Sequence, residues 1–213
     1  LYLLHGLDGS HRAWINKYAD IIIHNLNYFQ GVPEMIVVFP NSAVNEEENT
    51  DNLSIKEKVK VYDLTGEDLI SSLMPYINSH YSVKIGKENT ALAGYSMGGR
   101  ETLYTAFNHQ DLFGYIGAFS SEYVLGDLGY HSTIPSLVDN FTIDSDKGGF
   151  DLIMLCVGRQ DDDCGEETYK IHDNMSLNGI DHIFYDIEGG HENSVWQNAL
   201  YNFAIKIFRN SNM

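Results

Sequence analysis

The sequence predicts the α/β class: a mostly parallel sheet with helices on both faces, folded as one domain over residues 1–213. Three observations predict it. Short apolar runs of strand length alternate with longer stretches in which apolar residues recur every three or four positions. The strand-like runs are apolar at successive positions rather than alternating, the pattern of strands buried on both faces. The length of 213 residues, with 43% hydrophobic and 20% charged residues, suffices for one substantial core, and no internal repeat or linker divides it.

The elements follow in order. Leu1 to Leu4 reads as a buried strand and His5-Gly6-Leu7-Asp8-Gly9-Ser10 as a turn. A helix is expected next, with Trp14, Ile15, Tyr18, Ala19, Ile22, Ile23 and Leu26 on one face. Met35 to Phe39 reads as a second buried strand ending at Pro40, and the acidic stretch from Asn41 to about Tyr62 as a long loop or insertion. Thr65-Gly66-Glu67-Asp68 resembles a capping box opening a helix with Leu69, Ile70, Leu73, Met74 and Ile77 on one stripe. A strand at Ala91-Leu92-Ala93 and a helix through Leu103, Tyr104 and Phe107 come next, then a strand over Tyr115 to Phe119. Residues 121 to 148 lack periodicity apart from a short helix near Pro135 to Phe141. A strand over Asp151 to Val157, a helix over Glu166 to Asn178 and a strand over His182 to Ile187 follow. The last helix has Val195, Trp196, Ala199, Leu200, Phe203, Ala204, Ile207 and Phe208 on its apolar face.

Charge removes several functional classes. A formal net charge of −17 opposes binding to a phosphate backbone, which needs clustered Lys and Arg, and opposes adsorption to anionic membranes. No apolar run approaches the ~20 residues of a membrane-spanning helix. The two cysteines, Cys156 and Cys164, do not form a disulfide framework or a zinc-ligand pattern. The acidic residues around Asp161 to Glu167 do not have the spacing of a calcium-binding loop. Leu1 begins inside an apolar strand with no leader before it, which reads as a piece of a longer chain.

The chemistry is carried by Gly94-Tyr95-Ser96-Met97-Gly98 between a strand and a helix, the arrangement of a nucleophile elbow. Serine is a weak nucleophile unless a base takes its proton and a third group orients the base. The strand ending at Val157 is followed by Gly158-Arg159-Gln160-Asp161-Asp162-Asp163, and the next strand by Glu188-Gly189-Gly190-His191. Ser96, an acid and His191 therefore fall at successive strand ends, in the order such hydrolases use. Asp161 is the candidate acid from its register, with Asp162 and Asp163 adjoining it. Candidate oxyanion donors are the backbone N–H groups of Met97 and Leu7. Trp14 and Trp196 suit either an aromatic acyl pocket or the core faces of their helices. His5 is expected to shape the oxyanion turn.

These segments resemble the esterase D/feruloyl esterase group of carbohydrate esterases. The matching stretches include Tyr2-Leu3-Leu4-His5-Gly6, Met35-Ile36-Val37-Val38, Pro75-Tyr76-Ile77, Ala91 to Gly99, Phe113 to Gly117, Gly158-x-x-Asp161, and Gly189-Gly190-His191 with Val195-Trp196. The resemblance implies an α/β-hydrolase fold and hydrolysis of feruloyl or acetyl esters on plant cell-wall xylan, without a cofactor or metal. It also implies a secreted enzyme, although the residues themselves leave a cytoplasmic location open. The expected partner is an acylated carbohydrate or small ester; the sequence gives no oligomeric state. A broad small-acyl esterase, a formylglutathione hydrolase and a non-catalytic carbohydrate-binding relative are the alternatives. Two departures stand out. The resemblance implies two strands upstream of Leu1 that this sequence does not contain, which would leave the Met35 strand at a sheet edge. The turn, commonly His-Gly-x-Gly-Gly, has Asp8 in place of a glycine.

Overall fold

A computed structural model describes residues 1–45, 50–124 and 140–209. Five strands form one sheet in the order β1-β2-β3-β4-β5, all parallel: β1 Tyr2–Leu4, β2 Ala91–Ser96, β3 Tyr115–Ser121, β4 Leu152–Gly158 and β5 Ile183–Ile187. Parallel neighbours need crossovers, and helices supply them. Two helices, α1 (Ala19–Gln30) and α7 (Asn193–Ala204), cover one face. The other is covered by α5 (Met97–Asn108), α6 (Gly165–Leu177) and part of the helical run before β2. Successive strand residues take opposite faces: Leu3, Ala93, Phe119 and Cys156 join the first core, and Leu4, Leu92, Ala118 and Leu155 the second. That double burial is why these strands read as continuous apolar runs. The edge strand β5 is only half buried, and its Ile183 is exposed.

The structure departs from expectation in five places. The first helix is divided: Ile15–Lys17 is a 3-10 turn, Tyr18 adopts a left-handed conformation (φ 60°), and α1 begins at Ala19. The Met35 to Phe39 stretch is not a full strand. It touches β1 through a single bridge, Tyr2 to Val38, with bonds from Leu3 N–H to Val38 O (3.0 Å) and from Val38 N–H to Leu1 O (2.8 Å). The three-residue β1 offers too short a ladder for more.

The loop expected from Asn41 to Tyr62 contains a helix, α2 (Ile55–Tyr62). The capping box belongs there too: Ser54 accepts from Glu57 N–H, and the Glu57 carboxylate accepts from Ser54 N–H at 2.9 Å. Thr65 lies inside its own short helix, and its hydroxyl donates backward to Tyr62 O (2.6 Å), so the expected box at Thr65–Asp68 does not form. That run continues as α3 (Thr65–Asp68), a π turn at Leu69–Leu73 and α4 (Met74–His80). Pro75 explains the irregular turn: it has no N–H to donate to the carbonyl four residues back. The short helix near Pro135 to Phe141 lies mostly outside the described residues.

Position follows from this topology. From β1 the chain leaves outward to the Val38 bridge, whereas from β2 it proceeds the other way to β3. The crevice at the carboxyl ends of β1 and β2 is thus a topological switch point, where open α/β sheets hold their sites.

Candidate active site

Ser96 ends β2 and stands immediately before α5, at φ 56° and ψ −125°. A non-glycine residue held there costs on the order of 1–3 kcal/mol and persists because its surroundings over-determine it. The flanking glycines supply the room. A Cβ on Gly94 would lie 2.3 Å from the Gly98 carbonyl oxygen, and one on Gly98 would lie 2.5 Å from the Leu4 carbonyl oxygen. No larger residue allows α5 to begin so close to β1. The start of α5 also leaves its first N–H groups without helical partners, with the positive end of the helix dipole at Ser96.

The acid and base come from the ends of β4 and β5. His191 Nδ1 lies 3.1 and 3.0 Å from the two carboxylate oxygens of Asp161. The Asp161 side chain is fully buried, while that of His191 is 18% exposed. Asp161 Oδ1 also accepts from Cys164 N–H (2.8 Å) and Asp163 N–H (3.2 Å) at the start of α6. Burial alone would raise the Asp161 pKa, but the hydrogen bonds from His191 and Cys164 outweigh it and hold the carboxyl below the usual range. Asp161 is therefore an anion positioned to orient His191. Asp162 has no bond to His191, and Asp163 contributes only its backbone.

Two cavities meet at Ser96 and His191. One, of about 230 Å³, is lined by Leu7, Ile55, Val59, Met97, Arg100, Glu122, Tyr123, Asp163 and Cys164. The other, of about 420 Å³, is lined by the turn Gly6 to Ser10 with Ala13, Asn16, Lys17, Tyr95 and Trp196. The first is walled largely by apolar side chains and the second is rich in backbone and polar groups. A larger groove of about 750 Å³ runs along Met35 to Phe39 and contains none of the candidate catalytic residues.

The turn after β1 brings Leu7 to both cavities. Neither Leu7 N–H nor Met97 N–H has an acceptor among the described residues. His5 is buried beneath the turn. Its Nδ1 lies 2.8 Å from Gly6 O, and its Nε2 accepts from Ser42 N–H (2.9 Å) and lies 3.0 Å from the Asn41 amide oxygen. Burial lowers its pKa, so the ring is neutral with one proton.

The two tryptophans separate. Trp196 lines the second cavity, stacks on Tyr95 at 4.2 Å and meets His191 edge-on at 5.0 Å. Lys17 Nζ lies over both rings, 4.6 Å from the Tyr95 centroid and 5.1 Å from that of Trp196. Trp14 lines neither cavity. It is 1% exposed in the core, and its indole N–H donates to Leu4 O at 2.9 Å, so its contacts support the end of β1 rather than an acyl group. This corrects the pocket alternative for Trp14. An apolar helical stripe looks the same whether it faces core or cavity.

Ile55, Val59, Glu122 and Cys164 are site residues that sequence reasoning did not find. The Cys164 thiol donates to Glu122 Oε2 at 3.1 Å, and burial, then the Glu122 charge, push its pKa up. It stays a neutral thiol beside Ser96. The Ser54–Glu57 capping box was the signal that could have placed Ile55 and Val59 on a helix.

Known proteins resemble this chain in sequence and in fold. The family model described as "Putative esterase" matches residues 1–207. An endo-1,4-beta-xylanase/feruloyl esterase of Xylanibacter ruminicola is 32% identical over 123 residues, covering 56% of this chain and 16% of that protein. The chain thus matches only a small part of that relative's length. An acetyl esterase of Caldicellulosiruptor saccharolyticus is 26% identical over 95% of this chain and 80% of its own. The structure of a ferulic acid esterase from Anaeromyces mucronatus superposes with a TM-score of 0.82 at 28% identity, covering 99% of this chain and 79% of that one. The five-stranded parallel sheet with its flanking helices is the α/β-hydrolase fold of those neighbours.

Proposed function

The chain belongs to the Esterase family of carboxylic ester hydrolases, and from that premise we propose that it removes feruloyl or acetyl groups from plant cell-wall polysaccharide such as xylan, through an acyl-enzyme. One observation carries the serine mechanism: Ser96, on its elbow, opens onto the same two cavities as His191, whose far ring nitrogen is held by Asp161. Ser96 Oγ attacks the ester carbonyl while His191 Nε2 takes its proton, and Asp161 stabilises the imidazolium. The carbonyl oxygen becomes an oxyanion and accepts from Leu7 and Met97 N–H. His191 then protonates the leaving sugar oxygen, and water repeats the sequence to release the acid. The smaller, more apolar cavity takes the acyl group and the larger polar one the alcohol. Action on a polymer of the plant wall implies secretion, and none of the described helices is long and apolar enough to cross a membrane.

The acetyl alternative has its own support in the relative that spans nearly the whole chain and carries that activity. Hydrolysis of methyl ferulate against p-nitrophenyl acetate decides between them, with Ser96→Ala as control. Ferulate release that disappears in the variant supports the feruloyl reading. Acetate release alone moves it to a small-acyl esterase, and turnover of neither ester by folded protein overturns both.

A further inference from the structure

The serine reading needs Leu7 N–H aimed at the reacting carbonyl, and a peptide plane determines how that aim is held. The carbonyl of Gly6 and the N–H of Leu7 belong to one rigid trans amide and point in opposite directions. Whatever fixes the Gly6 oxygen therefore fixes the Leu7 donor. Gly6 O accepts at 3.0 Å from the Tyr62 hydroxyl, at 2.8 Å from His5 Nδ1 and at 3.1 Å from Gly9 N–H. Tyr62 OH, 3.4 Å from His5 Nδ1, gives its single proton to Gly6 O. Tyr62 is fully buried, and burial followed by the charge of Asp8 pushes its phenol up, so it remains a donor across the working range of pH.

We propose that Tyr62 is a positioning residue of the oxyanion hole, which holds the Gly6–Leu7 peptide plane with Leu7 N–H turned into the site. It touches no substrate. A hydrogen bond at the Gly6 carbonyl also polarises that amide and makes the Leu7 N–H a stronger donor. The inference rests on the serine-esterase reading. It adds a residue from α2, outside the strand ends that carry Ser96, Asp161 and His191.

The test compares wild type, Tyr62→Phe and Ser96→Ala for turnover of p-nitrophenyl acetate and for affinity toward a trifluoromethyl ketone. That inhibitor adds to the serine and places a charged oxygen in the oxyanion hole. Tyr62→Phe removes one oxygen inside a small cluster with Ala43, Val59 and Met97, and a cooperative melt checks its fold. Removing an oxyanion donor outright costs about 10²–10³ in kcat; loosening one should lower kcat by about 10- to 100-fold with KM within twofold. Ketone affinity should fall by the same factor, while binding of the non-covalent product acid stays unchanged. Retention of kcat within twofold, or a fall in kcat without a matching loss of ketone affinity, overturns the role of Tyr62. Activity retained by Ser96→Ala would instead overturn the serine reading and this inference with it. Should the Phe variant fail to fold, 3-fluorotyrosine placed at position 62 alone keeps the ring and strengthens the donor. Ketone binding must then tighten, and unchanged or weaker binding overturns the proposal.

Discussion

The two sides of Ser96 are built differently. On one side, Ser96, Asp161 and His191 stand at the ends of β2, β4 and β5, each anchored to a sheet covered on both faces. On the other, Ile55, Val59 and Tyr62 come from α2, an eight-residue helix in an acidic stretch outside the sheet. On the proposed mechanism, chemistry sits on the stiff scaffold, while the acyl wall and the support of one oxyanion donor sit on a short appended helix. Bond-making groups must keep fixed separations, whereas a wall can be rebuilt without disturbing them.

The largest effect should come from the stiff side. Ser96→Ala and His191→Ala are each expected to lower kcat by at least about 10⁴-fold with the fold intact, as loss of a triad member does elsewhere; steady-state assay beside a melting curve measures it. Asp161→Asn should cost roughly 10²- to 10⁴-fold, because His191 loses the anion that selects its tautomer. It has a second signature. The Asp161 pKa is depressed in the folded chain, so its stabilisation is present above the ordinary carboxylate range and lost as pH falls through the folded value. Melting temperature should therefore depend less on acidic pH in Asp161→Asn than in wild type, and an equal acid-side slope would contradict the pairing.

On the appended side the expected effect is selective rather than general. Val59→Phe fills part of the 230 Å³ cavity, and misfit of even one methylene is worth about 1–3 kcal/mol. Feruloyl turnover should fall about 10-fold or more relative to acetyl turnover. An equal fall for both esters would break the division into scaffold and wall.

The smallest effect concerns stability alone. Buried Arg100 faces both Asp63, at 2.9 Å, and Glu101. One guanidinium does not offset two buried carboxylates, and burial, outweighing the attraction of Arg100, raises Glu101 to about 8. A raised carboxylate stabilises the fold below its unfolded pKa, and that contribution is lost as pH rises through the folded value. Glu101→Gln should flatten the decline in melting temperature that runs from about pH 4.5, the ordinary carboxyl value, to about 8.

What could be read in advance follows the same division. β2, β3 and β4 were legible because double burial leaves an uninterrupted apolar run, and Ser96, Asp161 and His191 were legible as candidates because each stands at or a few residues past a strand end. Met35 to Phe39 reads identically, but a strand also needs a partner long enough to pair with, and β1 has three residues. α2 was missed because three lysines and a glutamate interleave Ile55, Val59, Val61 and Tyr62 in an acidic, polar stretch, which leaves no long apolar stripe. Cys164 and Glu122 meet across 42 positions through tertiary packing, which no local pattern records.

Ile55, Val59 and Tyr62 recur at intervals of four and three residues, so they share one face of α2 and move as a body. An acyl group that fits badly against Ile55 or Val59 would push on the same helix that keeps the Gly6–Leu7 peptide aimed. Such a substrate would be penalised in turnover, beyond any loss of affinity. The helix would thus serve as a gauge as well as a wall, and transplanting segment 41–63 into a related scaffold would carry over selectivity and catalytic rate together.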